Sequence, residues 1–120
     1  MEEKITIDPK DAEDNKVMAI LAYFNILVLV PILGAKESPF ARFHANQGLI
    51  LFLASIALGV VGWVLMLILV FVSPFLVTLV YGLTSIVSLV ILVLAIIGII
   101  NAVKGEAKEL PLVGKIKILK

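Results

Sequence analysis

Cysteine is absent from the 120 residues. That excludes disulfides, thiol catalysis and thiolate metal sites, and leaves the redox compartment open. Histidine occurs once, at His44, and arginine once, at Arg42. A lone histidine makes no metal cluster, although Glu37, Asn46 and Gln47 lie near it in sequence. Charge is scarce as well. Charged residues are 16% of the chain, against roughly 25% in soluble domains. From Phe43 to Val103 there are 61 residues without Asp, Glu, Lys or Arg. Proton-coupled transporters, pumps and voltage sensors need ionisable groups at membrane depth, so a self-contained transporter is disfavoured. Inverted repeats with broken helices are not evident either. No phosphate-binding loop, serine elbow or nucleophile–base pair appears, so the chain reads as a non-enzyme without cofactor or metal. A net charge of +1 gives no reason to expect a nucleic-acid partner.

What is present is apolar surface. Hydrophobic residues make up 62%, where soluble domains have roughly 45–50%, so the chain is read as one small all-α integral membrane protein. Residues 1–15 read as a flexible acidic leader, in which Ile5-Thr6-Ile7 has the pattern of one short extended piece. Asp11, Asp14 and Asn15 are candidate caps for the helix that follows. The leader has the wrong sign for a secretory signal, so the first apolar tract is read as a retained span from about Lys16 to Leu33. It is short for a ~30 Å hydrocarbon core. Pro31 and Gly34 supply its stop, and Tyr23 and Asn25 interrupt it. Asn25 is a candidate for a hydrogen bond to a neighbouring helix.

Ser38-Pro39 then reads as an N-cap with proline at the first helical position. The turns that follow place Arg42, His44, Asn46 and Gln47 between and beyond Phe40 and Phe43, the pattern of a helix crossing the headgroup layer. The charge-free tract has one convincing break, Ser73-Pro74. The expected fold is therefore a three-helix transmembrane bundle, a short first span and two long tilted helices, with a transmembrane domain over 16–105 and a basic tail over 106–120. Breaks at Gly59/Gly62 or Gly82 would give four spans. With three spans, seven Lys and Arg share a side against three, and the leading end lies outside. With four, eight stand against two. Both arrangements put the carboxyl-terminal tail in the cytoplasm of a cell-membrane protein. Small residues at Ser55, Gly59 and Gly62, and at Gly82, Ser85 and Gly98, are the expected helix-packing faces. Thr78, Tyr81, Ser85 and Ser88 are the residues a pore lining would use. Lys104 and Gly105 read as a normal helix C-terminus.

Two motifs carry a family resemblance. PFARFHANQGLILF resembles a segment of the Tic-type chloroplast inner-envelope protein-import components, with an arginine–phenylalanine pair and a following glutamine. NAVKGEAKELPLVGK resembles that family's end, a glycine shortly before an acidic-Pro pattern. Small prokaryotic multi-pass proteins look similar at the same two places. The resemblance covers roughly residues 17–120 and touches Arg42, Phe43, Asn46, Gln47, Gly105 and Pro111. With His44, these form the candidate partner-binding or structural motif. The implied role is a non-enzymatic scaffold or accessory subunit of a protein-import or translocation apparatus. The alternative is a homo-oligomeric channel or transporter subunit. The expected partners are the lipid bilayer and a membrane protein or a second copy of the chain.

Overall fold

The computed structural model describes residues 4, 5 and 7–119. Its frame is two long helices, α4 (Pro39–Leu69) and α5 (Pro74–Val103). The same device starts both. Ser38 and Ser73 take extended backbone, their hydroxyls accept from Ala41 N and Leu76 N, and proline follows at the first helical position. That satisfies one of the free N–H groups of each helix start, and proline has none to leave unpaired. At ~1.5 Å per residue, the 31 and 30 residues come to roughly 45 Å each. That matches a bilayer of about 40–45 Å with its headgroups. Both helices are long and apolar enough to cross a membrane. They fold back on each other through Val70–Ser73.

Before them lie β1 (Lys4–Ile5) and three short helices, α1 (Pro9–Asp14), α2 (Lys16–Leu21) and α3 (Leu29–Gly34). A 3-10 turn, Asn25–Val28, joins α2 to α3. The single short helix expected over Lys16–Leu33 is thus corrected. The tract is broken at its middle, and no piece is long enough to span. The break has local causes. Asn25 takes a left-handed backbone, φ 55°, a conformation asparagine accepts more readily than most residues. Tyr23 is pinned sideways, its ring against Gly98 and its hydroxyl on His44. The halves double back, so that the Met18 methyl lies 3.4 Å from where a Gly34 side chain would begin. Pro31, expected as a terminal stop, sits near the start of α3, where its missing N–H costs little.

The four-span alternative is also corrected. α4 runs unbroken through Gly59 and Gly62, and α5 through Gly82. A lone glycine costs only about 1 kcal/mol in a helix, while an unpaired backbone group in lipid costs several.

The buried side chains concentrate at one end of the pair. Ala22, Tyr23, Val28, Leu51, Leu94 and Leu110 form one cluster, and Ala12, Ala19, Phe40 and Ala102 another. β1 pairs antiparallel with β2 (Ala107–Lys108), Lys4 opposite Lys108 and Ile5 opposite Ala107. The residues preceding α4 and those following α5 therefore meet in one cap, wrapped around the first turns of α4 and the last turns of α5. The leader expected to be flexible over 1–15 contains the ordered helix α1. Thr6 lies outside the described residues.

Two glycines make the wrapping feasible. A Cβ on Gly48 would lie 1.8 Å from the Ala22 carbonyl oxygen, and one on Gly98 would lie 2.2 Å from the Tyr23 ring. Gly62 faces the Thr84 methyl at 3.3 Å, whereas Gly59 and Gly82 meet nothing within 4 Å. Gly59 opens instead on a cleft of about 310 Å³ between the helices. Gly48→Ala should therefore lower stability by about 2 kcal/mol or more, because backbone has to move. Gly59→Ala should be neutral or stabilising by up to ~1 kcal/mol. Equilibrium unfolding of both variants in mixed micelles checks the contrast.

Candidate functional site

The featured residues of α4 are brought together inside the cap. His44 is fully buried in an aromatic box. The rings of Tyr23, Phe40 and Phe43 stand edge-on to it at centroid distances of 5.6, 4.8 and 5.2 Å. Its Nε2 lies 2.8 Å from the Glu106 carbonyl oxygen, and its Nδ1 lies 2.6 Å from the Tyr23 hydroxyl. A carbonyl only accepts, so Nε2 carries a hydrogen, and in the neutral ring Nδ1 then accepts from the phenol. The neutral imidazole thus joins the first apolar tract to the tail.

Asn46 and Gln47 carry the rest of the join. Asn46 donates through Nδ2 to the Ile116 carbonyl at 2.8 Å, and its Oδ1 accepts from Ile118 N at 2.6 Å and Leu119 N at 2.9 Å. Gln47 donates to the Gly114 carbonyl at 3.1 Å and accepts from Leu110 N at 3.0 Å. Both amides use donor and acceptor together, as a paired strand would. The tail has almost no secondary structure, so its buried backbone groups need partners from elsewhere. These two side chains provide them. Asn101, near the end of α5, adds a bond to the Lys108 carbonyl at 3.3 Å.

Arg42 is half-buried at the rim of the cap, and Phe43 lies under the Lys117 ammonium, 5.5 Å from ring centroid to nitrogen. Gly105 takes φ +74° just beyond α5, the left-handed geometry that ends a helix and turns the chain. Pro111 opens the turn at Leu112, which itself has φ +72° and is 85% exposed. The packing candidates are scattered by comparison. Ser55 and Ser85 spend their hydroxyls on their own helix, on the Leu51 and Tyr81 carbonyls. Thr78 does the same with Pro74. Thr78, Tyr81 and Ser85 are exposed on the outer surface. Among the described residues no group of three His, Cys, Asp or Glu is placed to hold a metal ion.

Two contributors carried no signal as site residues. Asp11 accepts from Ser38 Oγ at 2.6 Å, Phe40 N at 3.0 Å and Asn15 Nδ2 at 2.9 Å. A carboxylate at the positive end of a long helix is favoured there, but it comes from 27 residues upstream, where no local spacing reveals it. Glu109 is buried and meets Lys117 at 2.9 Å and Lys115 at 3.2 Å. Its spacing to the two lysines is visible in sequence, but its burial is not.

Comparison with known proteins now bears on this geometry. The profile of the magnetosome magnetite crystal formation protein family matches residues 14–119, from the end of α1 through the clasped tail. The chain belongs to that family. A magnetosome protein, MamF, of Magnetospirillum gryphiswaldense is 41% identical over 59 residues, 47% of this chain and 53% of the relative. A second, MmsF of Paramagnetospirillum magneticum, is 43% identical over 37 residues, 31% of this chain and 35% of the relative. The matched stretch thus spans about half of the first relative and a third of the second. Neither description names an enzymatic activity. No solved structure matches the chain significantly.

The family corrects the import-component resemblance. The two motifs that carried it are the two halves of the clasp, Asn46 and Gln47 on α4 and residues 106–119 folded onto them. They report how this cap is tied, and the family whose profile covers both of them is one of magnetosome crystal-formation proteins, not of import components. The channel alternative falls with it. The hydroxyls it relied on at Thr78 and Ser85 are bonded within their own helix.

Two outcomes test the clasp. Asn46→Ala or Gln47→Ala leaves buried tail groups unpaired, at about 1–3 kcal/mol. Trypsin should then cut after Lys115 and Lys117 on the order of tenfold faster or more. A surface alanine such as Lys36→Ala should leave the rate unchanged. The second outcome concerns acid. The Lys117 ammonium bonded to Glu109 holds that carboxyl below its usual value. Burial opposes this less strongly, and the bond from Lys115 adds to the lowering. A depressed carboxyl stabilises the fold above its unfolded value, roughly pH 4.3, and the contribution is lost as pH falls through the lower folded value. Tail protection measured by hydrogen exchange should hold at neutral pH and drop below about pH 4. Glu109→Gln should remove the acid step.

Proposed function

We propose that this chain is a two-span membrane protein that serves the formation of magnetite crystals from within the magnetosome membrane, its clasped cap facing the cytoplasm. The observation that supports this most is the family match over residues 14–119, which takes in the cap, the clasp and both long helices. The membrane placement rests on α4 and α5, each of bilayer length. The sidedness rests on charge. All ten Lys and Arg of the sequence fall before Phe43 or after Val103. Two spans put all of them on one side and none on the other, a sharper asymmetry than three or four spans allow, and basic flanks stay in the cytoplasm. The broken tract at 16–34 is read as entering and leaving the membrane from that same side.

The absence of cysteine makes a labelling test clean. Single cysteines at positions 13, 36 and 72 are treated with an impermeant maleimide in intact cells and in lysed ones. Positions 13 and 36 should label only after lysis. Position 72 should label without it when the protein is in the cell membrane. The role is tested in a magnetosome-forming bacterium deleted for its MamF or MmsF relative. The chain should fractionate with isolated magnetosomes and shift the crystal size distribution seen by electron microscopy towards that of the undeleted strain. A chain found only in other membranes, with crystals unchanged, would overturn the reading.

A further inference from the structure

The cap is not a soluble knob set above two helices. Its first apolar tract turns an apolar face outward. Val17, Phe24, Ile26, Leu27, Leu29, Val30 and Leu33 are between 39% and 68% exposed. In water that would be an adhesive patch of a size monomeric proteins avoid. The tract begins at Lys16 and ends at Lys36, and its two ends lie side by side at Met18 and Gly34. Charged ends with an apolar middle describe a loop that dips into lipid and returns.

Its reach is limited. From Lys16 to Asn25 is nine residues, roughly 13 Å if helical throughout. That is less than half of a ~30 Å hydrocarbon core. Two contacts fix the same depth from the other side. Ala22 is held at Gly48, nine residues into α4, and Tyr23 at Gly98, five residues from the end of α5. The tract therefore occupies one leaflet. There it lies beside α4 and α5, α2 touching both and α3 packed on α4. In the other leaflet α4 and α5 stand alone. Two packed helices measure about 20 by 10 Å across. On the cap side the collar adds the breadth of α2 and α3 to that pair.

We infer that the chain is a wedge, whose collar at residues 16–34 is embedded among the acyl chains of the cap-side leaflet so that the protein favours bilayers convex towards its cap. The occupant of the exposed collar face is lipid. The face continues the lipid-facing surface of α4 and α5, and Lys16 and Lys36 at its ends suit the phosphate layer. A protein that displaces more area in one leaflet than in the other is accommodated with less strain where that leaflet is stretched. The inference rests on the two-span reading and adds depth and shape to it.

The full chain, with a single cysteine at position 13 or 36, is reconstituted into phosphatidylethanolamine–phosphatidylglycerol vesicles extruded to large and to small diameter. The fraction labelled by an impermeant maleimide counts molecules with the cap outward. That fraction should be clearly larger in small vesicles, with an outward-to-inward ratio at least threefold above that in large ones. The triple variant Ile26→Ser, Leu27→Ser, Leu33→Ser should lose the size dependence. Its tail should keep its resistance to trypsin, which shows that the cap is still folded. If that variant unfolds, brominated lipids give the second measurement. With Trp63→Phe removing the native tryptophan, Leu27→Trp should be quenched by bromines on the acyl chains and shielded from aqueous acrylamide. Equal outward ratios in both vesicle sizes overturn the wedge and leave two spans standing. Positions 13 and 36 labelling on opposite sides overturn the two-span reading itself, and a Leu27→Trp reached by aqueous acrylamide and not by brominated acyl chains overturns the wedge.

Discussion

Every backbone group of a chain in or beside lipid has to be bonded by the chain itself, and this protein meets that demand unevenly. α4 and α5 satisfy their own interiors. The tail after Gly105 does not, because it forms only a two-residue strand. Its polar backbone is settled largely on three buried side chains of α4, His44, Asn46 and Gln47, with Asn101 of α5 adding one bond. The remainder of the cap follows from that arrangement. The tail lies along α4, so β2 is presented to β1. α4 in turn needs a fixed start, which Ser38 and Asp11 supply together. Tyr23 reaches across to the same histidine, and this tilts the first apolar tract out of a straight path. Removing the amides would leave the two helices intact and the end of the tail without its backbone partners on α4.

The long elements were legible because their signals are local. A Ser-Pro pair before each run, a charge-free interval and the glycine after Lys104 are enough to place α4 and α5 nearly to the residue. The tract before them was not. Its composition is that of a span, and composition does not show that Asn25 turns left-handed or that Tyr23 has a partner 21 positions away. The same limit applied to the small residues. Gly59 and Gly82 fall at good packing intervals but meet nothing, while Gly48 and Gly98 lie under the collar. Spacing along one helix says which residues share a face, and it is silent on what covers that face.

The polar stretch around Arg42 to Gln47 was conspicuous from the start because unusual residues concentrate there. Conspicuousness did not show what those residues bond to. The side chains that looked available for a partner are turned inward and used. The resemblance built on them pointed to protein import, whereas the chain belongs to the magnetosome magnetite crystal formation protein family. What the two motifs encode is a way of tying a tail to a helix, and the same knot serves whatever the surrounding surface does. The outward surface of the first apolar tract is the collar, bounded by Lys16 and Lys36.

The turn Val70–Ser73 has been mentioned only as the point where the helices reverse. It holds no charge, and Ser73 is its one polar side chain. In a two-span chain it is all that has to pass completely through the hydrocarbon during biogenesis. Such a hairpin can enter from one side as a pre-paired unit, its charged residues never leaving the compartment of synthesis. The demand on insertion machinery is then to shield an apolar hairpin and release it, with no hydrophilic domain to thread across.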